Sequence, residues 1–385
     1  MYRIPFLSLN FFVAKLRLTA GLLLSTVVGL IRIWFRENRL NRSRMGWIAL
    51  WASISSHREG ALLYVAAKLG LADLLEEGPR DSDELAFLVG AHASSLHRVL
   101  RGLVVLGLLS EKRNGRFSLT ALGTWLLSDK PNSLRSTAIL CGEGRYHSFG
   151  SLLKSVMTGE PAWTDPDNHS HKDPRQNPEL ETRFNTQMRL HTSRISKSIL
   201  AAYDFRSVHT VADIGGGYGA LLTDILKAYP SHKGILFDQP HVTSQALHYL
   251  KKTGVAQRCR IVKGDFLDHI QADADLFILK NILHNWDDKQ CSAILSNCLQ
   301  SLDKGGKILL VERVMPARAE DDPETIWLDL WMLVLSGGKE RTENEYRELL
   351  TSAGFTMTKA IPTSSQLWVI EAVCADVAEP YSESG

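Results

Sequence analysis

Residues 213–219 read Asp-Ile-Gly-Gly-Gly-Tyr-Gly, between a strand-like run at 210–214 and an apolar helical run at 221–226. No other segment constrains the fold so tightly. A strand that ends in an acid and spaced glycines, then opens into a helix, builds a nucleotide-sized pocket. Glycine lets the backbone turn with positive φ and lets a ligand approach closely. The helix start adds free N–H groups and the positive end of a dipole. Gly215, Gly217 and Ala220 fit the dinucleotide fingerprint G-x-G-x-x-G/A. Asp213, just ahead of the glycines, suits a cofactor with a cationic amino-acid end and repels a pyrophosphate.

The chain has 385 residues, enough for two or three domains, and a formal charge of +2, which implies no nucleic-acid partner. Its five cysteines (Cys141, Cys259, Cys291, Cys298, Cys374) form no C-x-x-C pair, and so read as free thiols in a reducing compartment. No metal is expected: His169 and His171 in the Pro- and His-rich loop 160–178 lack a third ligand. Residues 1–46 stand apart, with eight Lys or Arg against one acid. Their uncharged window, 18–31, spans 14 residues, short of the ~20 that cross a bilayer. With cations on both sides, this segment is expected to rest on an anionic membrane surface, to be a packing extension, or to serve targeting. A secretory signal is not expected, and the protein is expected in the cytoplasm, with peripheral membrane contact as an option.

Helical spacing over 47–75, a helix start at Asp81 and Glu84, a helix capped by Ser94 or Ser95 and ending near Leu106, and a hairpin over 108–119 with a tight Asn114-Gly115 turn together predict a winged-helix pattern. A further helix is expected to start at Thr120. The candidate recognition helix carries only Arg98, Arg101 and His97, too few cations for a phosphate-binding face. Its apolar surroundings predict a subunit interface instead. From residue 209 onward strands alternate with helices. Strands are expected at 210–214, 233–237, 260–262, 275–279 and 307–312, and a closing pair at 356–361 and 368–373. That alternation predicts an α/β domain with a doubly wound, Rossmann-like parallel sheet and one antiparallel partner. The implied division is 1–46 extension, 47–140 winged helix, 141–205 helical linker and lid, 206–375 catalytic domain, and 376–385 tail.

Five blocks in order carry a resemblance over residues 47–374. They are Asp213 to Gly219; Phe237-Asp238-Gln239-Pro240-His241-Val242; Gly264-Asp265-Phe266; the His-x-Trp block at His284; and Gly337-Gly338-Lys339-Glu340-Arg341-Thr342. Together they resemble the plant caffeic acid and bacterial antibiotic and pigment O-methyltransferases, class I enzymes that use S-adenosylmethionine. The spacing D-x-G-x-G-x-G at 213–219 is similar to that class's first motif. The resemblance implies a homodimer joined through the winged-helix region, which contributes to the partner's substrate site. It places Asp213, Gly215, Gly217, Asp238, Asp265, Phe266 and Lys280 at the cofactor, with Asp238 on the ribose hydroxyls and Asp265 and Phe266 at the adenine. It also places Met188, His191 and Met332 in the acceptor wall, with Trp331 and Phe149 as weaker candidates.

The resemblance makes His284 the general base, flanked by Glu312 and Glu340, for a hydroxyl on a small aromatic or polyene natural product. An imidazole suits that role, because its ordinary pKa is ~6.5 and that of a phenol-like hydroxyl is ~10. Many family members carry Asp directly after the base, where this chain has Asn285. Competing readings are a same-fold relative with changed chemistry (C-methylation, decarboxylation or hydroxylation), an NAD-linked oxidoreductase, a metabolite-sensing DNA-binding regulator, and a membrane-attached scaffold.

Overall fold

The computed structural model describes residues 42–162, 178–303 and 305–375. The extension upstream of residue 42, His169 and His171 with most of their loop, and the tail from 376 lie outside the described residues. No helix among those described is long and apolar enough to cross a membrane. The chain divides into two compact units, 1–63 and 64–385. The described part of the first holds helix Arg42–Ser55, where Trp47 and Trp51 stack with ring centroids 5.7 Å apart, and the start of helix His57–Lys68.

The second unit begins with helices Leu71–Glu76, Ser82–Val89 and Ala93–Val105, followed by strands β1 (Leu109–Glu111) and β2 (Phe117–Leu119), an antiparallel hairpin. Asp81 caps the second of these helices in a complete capping box with Glu84, as that spacing predicts. The third begins after His92, whose side chain makes no capping bond to the backbone, so neither Ser94 nor Ser95 is the cap. The hairpin turn has one residue more than the Asn-Gly signal predicts: Lys112 and Arg116 still pair, and Gly115 takes φ +75°. A three-residue loop with glycine in the left-handed region is the next most common solution. Thr120 does start a turn, accepting from Gly123 N–H at 3.1 Å, but it is a short 3-10 turn, Gly123–Leu126. Arg101 lies 3.7 Å from Glu111, which leaves that helix with fewer free cations than the sequence alone counts.

The remaining strands form one seven-stranded sheet in the order β5-β4-β3-β6-β7-β9-β8. These are β3 (Thr210–Ile214), β4 (Lys233–Asp238), β5 (Cys259–Lys263), β6 (Leu276–Lys280), β7 (Lys307–Glu312), β8 (Phe355–Pro362) and β9 (Trp368–Cys374). The first five in that order run parallel, and β9 runs against both of its neighbours. Alternate residues of the central strands supply two separate cores. Ala212, Ile214, Phe277, Leu279, Ile308 and Leu310 face one side, and Val211, Leu276, Ile278, Leu309 and Val311 the other. This is the pattern of a sheet covered on both faces. Cys291 and Cys298 are buried in the first of these cores as thiols.

The strand order reverses between β3 and β6, and in open α/β sheets ligands bind beyond the carboxyl ends at such a switch point. There β3 delivers the glycine turn, β4 delivers Asp238, and β6 delivers Lys280 followed by the His284 turn. A 25-residue helix, Pro178–Ala202, carries Met188 and His191 one turn apart.

Candidate active site

Gly215, Gly217 and Gly219 all adopt left-handed backbone, with φ of +70°, +62° and +79°. A Cβ on Gly215 would lie 2.5 Å from Ile282 Cδ1 and 3.4 Å from the Phe266 ring, whereas one on Gly217 would meet nothing within 4 Å. The turn is therefore packed behind Gly215 and open in front of Gly217. Gly217 N–H donates to Asp238 Oδ2 at 2.7 Å, and Gln239 N–H donates to Asp238 Oδ1 at 2.7 Å. A carboxylate offers about four lone-pair sites, so Asp238 keeps acceptor capacity for further donors. Gln239 also reaches Asp265 Oδ2, at 3.5 Å, and Phe266 meets Trp286 edge-on at 5.9 Å. Glycine turn, two acids and an aromatic are thus linked in one cluster, and this donor and acceptor set fits a nucleoside cofactor.

Asp213 lies deep. It is only 2 % exposed, and a carbon added to Gly216 would lie 2.6 Å from its Oδ2, so the carboxylate sits under the turn rather than in its mouth. Burial pushes its carboxyl up to about 7, with Lys280 opposing the rise and Asp238 adding to it. Lys280, partly buried at the end of β6, is lowered by burial and supported by Asp213 and Glu312.

His284 stands on a 3-10 turn, Leu283–Asn285, directly after β6 and is 7 % exposed. Its Nδ1–H donates to Glu340 Oε1 at 2.7 Å. Burial alone would disfavour the imidazolium, but the charges of Glu312 and Glu340 outweigh it and raise the imidazole above its ordinary value, with Lys280 opposing. Glu312, fully buried, does not touch the ring. Its Oε1 accepts from the backbone N–H groups of Ile282 and Leu283, both at 2.8 Å, so it holds the turn rather than the imidazole. Burial raises the Glu312 carboxyl, with His284 opposing. Oε2 of each glutamate is buried without a hydrogen-bond partner.

Glu340 is not paired with its sequence neighbours. Lys339 turns to Asp288 and Glu345, and Arg341 to Asp288, while Glu340 N–H donates to Asp329 Oδ1 at 2.8 Å. Asn285 directs its amide back to the carbonyls of Asn281 (3.1 Å) and Ile282 (3.4 Å), a donor role that an aspartate could not fill. Asn281 itself takes φ +54°, a region that asparagine tolerates better than most residues.

Met188 and His191, and Met332 and Trp331, expected in the acceptor wall, lie on two helices. Asp329 and Met332 share a face of helix Pro323–Leu335, so Met332, buried, lies on the Glu340 side. The neighbouring Trp331 meets Phe149 edge-on at 5.7 Å. His191 feels Lys280, the last residue of β6, and Arg313, just past β7; burial first, and then these charges, push it down to about 4, so it is neutral near pH 7. Met188 is partly buried on the same helix.

Sequence reasoning missed Asp329, Arg341 and Gly338. Gly338 had a readable signal, the paired glycines before Lys339. A Cβ there would lie 2.1 Å from His284 O and 2.7 Å from Asn285 C, both backbone atoms that no rotamer change can move. Gly338→Ala is expected to cost at least about 1–3 kcal/mol of stability and to lower turnover with it. A thermal melt beside an activity assay checks this, and an unchanged melting temperature would contradict it.

The chain matches the O-methyltransferase domain over residues 164–356 and the O-methyltransferase dimerisation domain over 51–129. It is 42 % identical over 311 residues to the phenazine O-methyltransferase PhzM of Lysobacter antibioticus, covering 80 % of this chain and 91 % of that one. It is 33 % identical over 307 residues to the mitomycin biosynthesis 6-O-methyltransferase of Streptomyces lavendulae, covering 78 % and 86 %. The crystal structure of NcsB1, an O-methyltransferase from neocarzinostatin biosynthesis in complex with S-adenosylmethionine and 2-hydroxy-5-methyl naphthoic acid, superposes with a TM-score of 0.74 at 33 % identity, covering 82 % of this chain and 96 % of that one. Fold, glycine turn and both matched regions agree, and the chain belongs to the S-adenosylmethionine-dependent O-methyltransferase family.

Proposed function

We propose that this enzyme methylates a hydroxyl of a flat, fused-ring aromatic natural product, with His284 as general base. The observation that carries the reading is the buried His284 Nδ1–Glu340 Oε1 bond of 2.7 Å at the sheet's switch point, next to the open glycine turn. Bound S-adenosylmethionine supplies an electrophilic methyl group on a sulfonium sulfur. Glu340 holds the proton on Nδ1, so Nε2 presents its lone pair to the acceptor hydroxyl. Nε2 takes that proton, the acceptor oxygen forms the new bond to the methyl carbon, and the pair of the broken C–S bond stays on sulfur. The imidazolium so formed is favoured by the charges of Glu312 and Glu340. Asp238 accepts from the ribose hydroxyls and Asp265 and Phe266 flank the adenine; Asp213 acts through the turn it underlies.

Support for the acceptor class comes from the Phe149–Trp331 pair and Met332, an apolar aromatic wall with few polar groups, and from the phenazine, mitomycin and naphthoic acid named for the relatives. Neutral His191 adds a polar contact to that wall. The homodimer is supported by the matched dimerisation region, where Phe87 and Val105 are 89 % and 88 % exposed in the single chain. The domain division of 47–140, 141–205 and 206–375 belongs to the same reading, and the extension 1–46 is left to its three alternatives.

The deciding experiment is incubation with methyl-labelled donor and a panel of hydroxylated phenazines and naphthoates, read by mass spectrometry. One added CH₂ on oxygen is expected. Label on carbon, or donor binding with no methylated product across the panel, would overturn the reading.

A further inference from the structure

Arg341 is 1 % exposed, and its guanidinium packs against the turn that carries His284. Its guanidinium donates from Nη1 to Leu283 O at 2.9 Å and from Nη2 to Trp286 O at 2.9 Å. Nε and Nη2 also donate to Asp288 Oδ1 at 3.0 Å and 2.8 Å. The two carbonyls bracket His284, one residue before it and two after. A planar fork with five N–H donors can span two carbonyls and a carboxylate at once, whereas an ammonium is a point charge. The same turn is gripped from the other side by Glu312 and braced within by Asn285. Gly338 closes directly on His284 O. Arg341 and Glu340 are adjacent in sequence and flank the turn together. Whatever seats Arg341 on the turn therefore also sets how the Glu340 carboxylate meets the His284 ring.

We infer that Arg341 is the positioning residue for His284: by tying the carbonyls of Leu283 and Trp286 to the segment that carries Glu340, it holds the imidazole in register with its carboxylate. The inference rests on the proposed role of His284. Arg341 itself does not touch the ring. The charged groups that do act on His284 are Glu312 and Glu340, which favour its proton, and Lys280, which opposes it. Arg341 in turn faces Asp288, Cys291 and Tyr346.

The experiment is NMR titration of ¹⁵N-histidine-labelled protein, with the His284 signal identified by its loss in His284→Gln. Arg341→Met removes the fork with little change in bulk, and Arg341→Lys keeps the charge but cannot span the same three acceptors. In both variants the His284 midpoint is expected to fall toward its ordinary ~6.5 as the Glu340 bond loosens. S-adenosylmethionine affinity by calorimetry is expected to stay within about threefold, a difference below ~1 kcal/mol. A purely structural arginine would leave the midpoint where it is. If both variants bind cofactor normally and titrate as the wild type does, the inference is overturned. If Arg341→Met does not fold, Arg341→Lys alone decides. Retained methyl transfer in His284→Ala would instead sink the general-base reading, which this titration does not test.

Discussion

Replacing His284 with alanine lowers turnover by ~10²-fold or more, the usual worth of a positioned general base, while S-adenosylmethionine binding stays nearly intact. The separation follows from the geometry. His284 bonds to Glu340, whereas the glycine turn and Asp238 bond to one another. Steady-state kinetics beside calorimetry checks it, and equal losses in both would make His284 a structural residue. The sign of the pH dependence follows as well. The base works as neutral imidazole, and its two carboxylates raise it above the ordinary value, so turnover climbs as pH rises through a midpoint higher than ~6.5. Glu340→Gln removes one of these charges. Its acid limb moves to lower pH and its maximum falls, because an amide stabilises the developing imidazolium less.

Asp238→Ala produces the reverse split. Cofactor affinity falls by about 10–100-fold, from the loss of charge-assisted hydrogen bonds worth about 1.5–3 kcal/mol. Turnover at saturating donor changes far less. Part of the loss is indirect, because Gly217 N–H forfeits its 2.7 Å acceptor and the turn loosens in front of the ligand. Calorimetric titration of donor into the variant is the measurement, and an unaltered dissociation constant with depressed turnover would remove Asp238 from the cofactor.

The sheet was legible because its strands are short apolar runs with turn residues on either side. Those at 210–214 and 307–312 match at both ends; β4 runs one residue past its apolar run, β5 runs one residue longer at each end, and β6 is shifted by one residue. The glycine turn was legible because its function demands residues that few other settings tolerate. The burial of Asp213 was not legible, because spacing gives proximity to a turn but not the side of it on which a carboxylate lies. Arg341 and Asp329 stayed hidden for a different reason. The partners that tie them to the site are backbone groups in other segments, and a backbone group leaves no mark in a string of side chains. Glu312 was found, but its grip on two peptide N–H groups was not, for the same reason.

The helix Pro323–Leu335 carries Met332 and Trp331, proposed here for the acceptor wall, and Asp329, which accepts from Glu340 N–H. A substitution that pushes this rod outward to admit a bulkier guest also tugs the peptide supporting the carboxylate. Selectivity and basicity are thus geared to each other, and variants evolved toward larger acceptors should display displaced pH optima even with every ionisable side chain untouched.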